Sequence, residues 1–141
     1  MTKTYVLSQR NKNWINSSLP QVLFKANISG MFLAGGFIRA LFDRSKVDDF
    51  DLFFRDEDAL KKFKKYVSSL RAKTVFVCPE GKLTTYKIGP WKVQCITERY
   101  FQTMDELINT FDITASMWLG TEKPSSVGTQ PSVTPRKKFF D

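Results

Sequence analysis

The apolar positions of this chain fall into short, separated runs whose lengths and spacings predict alternating helices and strands. Between about Asn13 and Ala26 the pattern is mixed, and Pro20 suits the first turn of a helix running through QVLFKA. MFLA at 31–34 predicts a short buried strand ended by Gly35 and Gly36, and FIRALF at 37–42 predicts a short helix. FDLFF at 50–54 has the length and aromatic content of a central strand. Asp56 then caps a helix over about 57–70, whose Ala59, Leu60, Phe63, Tyr66, Val67 and Leu70 recur at helical spacing. KTVFVC, KLTTYKI and WKVQCIT read as three strands, parted by PEG at 79–81 and by Gly89-Pro90, and so predict an antiparallel meander. Thr103 and Glu106 give a capping box for a helix MDELIN, with a last strand near ITASMWL. From Thr121 the chain changes character: this stretch holds three of the six prolines and predicts a flexible tail, 121–141, with a basic-aromatic end, behind a domain at 1–120. The order of elements predicts an α+β domain on a mixed sheet, helices packed on one face and the other open to a substrate.

Composition narrows the chemistry. With 42% hydrophobic and 14% aromatic residues in 141, one folded domain is expected rather than disorder. No apolar run nears the ~20 residues that span a bilayer, and MTKTYVLSQR lacks a signal-peptide core, so the expectation is a cytoplasmic protein without a membrane partner. Cys78 and Cys95 sit in apolar strand-like runs without CxxC spacing and read as buried free thiols. There is no histidine, which removes the commonest general base and imidazole-based zinc sites. Any catalysis must use carboxylates or the metal ions they hold. The net charge of +8 favours polyanionic partners such as RNA or nucleotides. The run KKFKK at 61–65, however, reads first as the solvated face of an amphipathic helix.

One stretch resists a packing explanation. GGFIRALFDRSKVDDFD at 35–51 puts two glycines at the end of one apolar run and opens the next with Asp49 and Asp51 at i, i+2. On a strand those carboxylates share a face and repel, while Phe50 turns into the core. Such a pair suits Mg²⁺, a hard cation that takes carboxylate and phosphate oxygens. Gly35 and Gly36 would let a polyphosphate approach the backbone at a helix start, and Arg39 could add a charge-assisted bond to it.

These residues resemble the head of the DNA polymerase β-type nucleotidyltransferase superfamily, most of all the poly(A) polymerase/CCA-adding group, with its pattern GGxxRD followed by DxD. The separation from Gly35 to Asp49 is similar to the family's interval of about fourteen residues, Arg39 matches its arginine, and VQCITER resembles its strand ending in arginine. The similarity runs over roughly 31–118, and compact phage and mobile-element proteins show a similar shape. It implies a nucleotidyltransferase-like sheet in which Asp49 and Asp51 bind two Mg²⁺ ions as catalytic carboxylates, while Gly35, Gly36 and Arg39 bind the nucleotide's triphosphate. The implied activity is transfer of a nucleoside monophosphate from an NTP to an acceptor hydroxyl. An RNA 3′ end is the acceptor favoured by charge, with a protein side chain or small molecule open.

Three features depart from that pattern. Ala40 stands where the family has aspartate after its arginine, Gln94 stands where many members carry an acid on the third strand, and a tail is expected where that group has helical domains that select base and RNA. Asp112 is the candidate for a third metal ligand, beside a reading as a strand-edge aspartate. The alternative these departures favour is a catalytically silent relative that binds nucleotide or RNA.

Overall fold

A computed structural model describes residues 3–18, 21–34, 40, 49–111, 115–119 and 126–129. Its frame is an eight-stranded sheet in the order β1-β8-β7-β2-β3-β6-β5-β4. The strands are β1 Lys3–Val6, β2 Met31–Ala34, β3 Asp49–Phe54, β4 Lys73–Val77, β5 Leu83–Ile88, β6 Trp91–Ile96, β7 Ala115–Trp118 and β8 Ser126–Thr129. The helices are α1 Gln9–Ser18, α2 Gln21–Lys25, α3 Glu57–Ser69 and α4 Met104–Phe111. β3 and β6 run parallel and the remaining neighbours antiparallel, so the sheet is mixed as expected. α3, β4 and β5 occupy the chain between the two parallel strands, and β4, β5 and β6 form the antiparallel meander.

Alternation along the central strands assigns the two faces. Phe50, Leu52 and Phe54 of β3 lie in one core with Met31 and Leu33 of β2, buried against Ile15 of α1, Leu23 of α2 and Phe63 of α3. Phe63 stacks at 5.8 Å from Phe54 and 6.4 Å from Tyr86, ring centre to ring centre. Burying each such ring contributes roughly 1.5–3 kcal/mol, so this core dominates stability. α3 starts where its cap predicts: the Ala59 N–H donates to Asp56 Oδ1 at 2.9 Å. Its lysines are solvated, with Lys61 and Lys62 paired to Glu57 and Asp58 one turn back at 3.6 and 3.1 Å. Tyr66 donates its hydroxyl to the Val22 carbonyl, fastening α3 to α2.

The opposite face carries a second, smaller core. Leu107 and Ile108 of α4 cover Phe32, Phe53 and Phe101, with Trp118 packed at the margin. The capping box forms as predicted, since Thr103 Oγ1 accepts from the Glu106 N–H, although Glu106 returns its bond to the Gln102 N–H rather than to Thr103. Among the described residues α4 lies against β7 and β8, and Ile96 of β6 packs at the edge of this core.

The structure departs from the sequence expectations at the sheet's far side. Ser126–Thr129, inside the stretch expected to be a flexible tail, is the strand β8, held between β1 and β7. Gly128 leaves room there for Met104, since a Cβ would stand 2.5 Å from Met104 Sδ and 3.3 Å from Met104 Cβ and the methionine would have to shift. β1 and α1 were not anticipated, while α2 is the helix expected through QVLFKA. Of the predicted helix 37–42, Ala40 is described and is helical and buried. Both cysteines are free as expected, Cys95 buried and Cys78 half-buried. No helix of the described residues is long and apolar enough to cross a membrane.

Candidate functional site

β3 enters the sheet through its aspartates. Asp49 is exposed and Asp51 half-buried, while Phe50 between them is buried on the opposite face. The expected shared face of the two carboxylates is therefore realised. Asp51 lies in a cross-strand row: its partner on β2 is Ala34, Ala34 pairs with Ser116 of β7, and on the other side Asp51 pairs with Gln94 of β6 and Gln94 with Thr85 of β5. Residues paired in register present their side chains to the same face. Ala34 keeps one side of Asp51 low, and the neutral amide of Gln94 stands on the other.

That surrounding acts on the carboxyl. Burial first, and the negative charge of Asp49 second, push the Asp51 pKa above its ordinary value of 3.8. A pair that resists double ionisation in this way is relieved by a cation between its oxygens. Among the described residues no group of three or more carboxylate or thiol side chains gathers into a metal site. Mg²⁺ needs no such cage, since it is commonly held by one or two carboxylates together with substrate phosphates and water. Asp49 and Asp51 therefore fit it in number, donor type and charge.

β2 ends at Ala34, directly beside Asp51. Gly35, Gly36, Arg39 and Asp112 lie outside the described residues. Gln94, predicted to stand at a third-ligand position, is brought into register with Asp51. Sequence reasoning missed Ser116, whose buried hydroxyl has no hydrogen-bond partner among the described residues and sits two strands from Asp51 in the same row. Its only signal in the sequence was a hydroxyl inside the otherwise apolar strand ASMW.

Residues 6–132 match the profile of the Gabija anti-defense 2 family protein. The chain belongs to this family. It is 30% identical over 111 residues to Gabija anti-defense 2 of Bacillus phage SPbetaL7, a match covering 77% of this chain and 27% of that protein. The present member of the Gabija anti-defense 2 family thus spans about a quarter of that relative's length. Its fold is that of nucleotidyltransferases. A CCA-adding enzyme solved in complex with ATP superposes with a TM-score of 0.61 at 14% identity, covering 90% of this chain and 33% of the enzyme. A tRNA-processing enzyme in an apo form superposes with a TM-score of 0.57 at 13% identity, covering 91% and 34%.

Proposed function

We propose that this chain is a Mg²⁺-dependent nucleotidyltransferase that moves a nucleoside monophosphate from an NTP to an acceptor hydroxyl, and that it does so as part of an anti-defense protein. The observation that carries this reading is the Asp49–Asp51 pair on one face of β3, with Asp51 penalised both by burial and by its neighbour. A charge arrangement that opposes folding is retained where a function needs it. Mg²⁺ at the pair would supply the positive charge that stabilises the phosphate oxygens and lowers the acceptor hydroxyl's pKa. Asp49 and Asp51 hold that charge in place, and the rigid strand between Ala34 and Gln94 fixes their spacing. Gly35, Gly36 and Arg39 take the triphosphate in this reading, and Asp112 is the residue to test as a third ligand. The acceptor hydroxyl gives up its proton to water, its oxygen bonds to the α-phosphorus, the bond from that phosphorus to the bridging oxygen breaks, and pyrophosphate leaves with the electron pair.

Gln94 favours a second reading. Its neutral side chain stands in register with Asp51, where an acid would complete a three-carboxylate set. A protein so built could bind nucleotide without transferring it. The two readings separate in one experiment: purified protein, Mg²⁺ and each of the four α-labelled NTPs, offered bulk RNA, total protein and small hydroxyl acceptors. Label on any acceptor with release of pyrophosphate establishes transfer, whereas NTP binding with no labelled product in any arm establishes the silent binder.

A further inference from the structure

A second row crosses the same face of the sheet two residues along the strands from the first. Asp49 pairs with Lys92 of β6, Lys92 with Lys87 of β5, and Lys87 with Lys73 of β4. Three ammonium groups therefore share the face of Asp49 and Asp51 and run from the carboxylates to the sheet edge, a span of ~14 Å at ~4.8 Å per strand. All three lysines are exposed. Like charges directly opposite one another weaken a sheet. The ion pairs among the described residues engage Lys61, Lys62, Lys82 and Arg99, and the one carboxylate in this row is Asp49 at its end, so three positive charges stand against one. Beside it, the row of Asp51, Gln94 and Thr85 ends on Phe76 of β4, whose side chain is 50% exposed at the edge. Cations in file next to an open aromatic ring match a strand of phosphates with an unstacked base.

We propose that this half of the face binds single-stranded RNA, with Lys73, Lys87 and Lys92 along the phosphates and Phe76 against a base, so that the strand's 3′ hydroxyl points at Asp49 and Asp51. The delivery of the hydroxyl rests on the transfer reading above; the binding does not. A single strand is specified because a duplex hides the base faces that Phe76 would stack, while one file of lysines serves one backbone. RNA is specified because the Gln94 amide, which can both donate and accept, stands on β6 beside Lys92 and in register with Asp51, and so offers a partner to a 2′-hydroxyl.

Fluorescence anisotropy with a labelled, unstructured RNA oligonucleotide of mixed sequence, measured across salt concentrations, tests the track. The triple variant K73Q/K87Q/K92Q should bind at least tenfold more weakly at 0.1 M salt. Its salt dependence should be shallower by about 2 in the log–log slope, at ~0.7 per lost phosphate contact. Phe76→Ala should weaken RNA binding by ~5-fold or more while leaving heparin, a polyanion without bases, unaffected. A control variant of equal charge change, K61Q/K62Q/K65Q on the solvated face of α3, should bind like the parent. Equal losses in both triple variants would overturn the proposal, because net charge alone would then explain binding. So would single-stranded DNA bound more tightly than RNA, or no RNA binding by the parent protein, which would turn the row towards an acidic protein surface. Lys87→Gln alone should make the slope shallower by ~0.7 and serves as the test should the triple variant not fold. D49N/D51N, which removes two negative charges beside the track, should bind RNA at least as tightly as the parent while transferring nothing, so loss of transfer with binding retained separates the two claims.

Discussion

Replacing Asp51 by asparagine should make the metal-free protein more stable at neutral pH. At ~3.3 Å rise per residue, Asp49 and Asp51 are ~6.6 Å apart along β3, and two unit charges at that distance repel by ~2.5 kcal/mol at an effective dielectric of 20 and ~0.6 in water. Asp49 is exposed and Asp51 half-buried, so the lower part of that range applies, about 1 kcal/mol. That corresponds to a melting temperature roughly 3–5 °C higher for a domain of this size. The pH dependence fixes the cause. Because the folded-state pKa of Asp51 is raised, the folded protein holds that proton more tightly than the unfolded chain, and the destabilisation is fully present above the raised value. It shrinks as pH falls through the raised value and is gone below 3.8, where both states are protonated. Thermal melts of the parent, Asp49→Asn, Asp51→Asn and the double variant at pH 7 and in acid measure this directly. Millimolar Mg²⁺ should raise the parent's melting temperature and leave the double variant's unchanged, since only the former binds it. An Asp51→Asn protein less stable than the parent at pH 7, with the same deficit in acid, would show that the carboxylate is a structural group and refute the argument.

Other outcomes follow from the same structure. Gln94→Glu should tighten Mg²⁺ binding measured by calorimetry, because it adds a third carboxylate in register with Asp51. Gly128→Ala should destabilise by ~1–3 kcal/mol in denaturant titrations, the cost of displacing Met104, and Met104→Ala in the same chain should recover part of it. Asp56→Ala should lose ~1 kcal/mol of stability by removing the cap on α3.

The sequence showed the parts of the fold whose physics is local. The caps at Asp56 and Thr103 sit where side-chain oxygens meet free N–H groups, and both form. FDLFF is a central strand because its apolar residues exceed what one exposed face allows, and the i, i+2 aspartates share a face because strand geometry requires it. What the sequence hid is held by distant partners. KTYV and SVGT are four-residue strands too short and too polar to show a period, and each is stabilised by pairing with the other across more than a hundred residues. QRNKNWINSS is a helix through Ile15 and Trp14 against the core, with little amphipathic signal of its own. The neighbours of Asp51 were equally illegible: that Ala34, Ser116 and Gln94 share its row follows from strand order and register, which no local pattern encodes.

The central claim is that the Asp49–Asp51 pair performs nucleotidyl transfer, and the decisive measurement is the rate of label transfer from an α-labelled NTP by the parent and by D49N/D51N. The double variant should keep the melting behaviour of a folded protein and lose at least a hundredfold in rate, about 2.7 kcal/mol of transition-state stabilisation. A folded double variant that transfers label within tenfold of the parent would contradict the account.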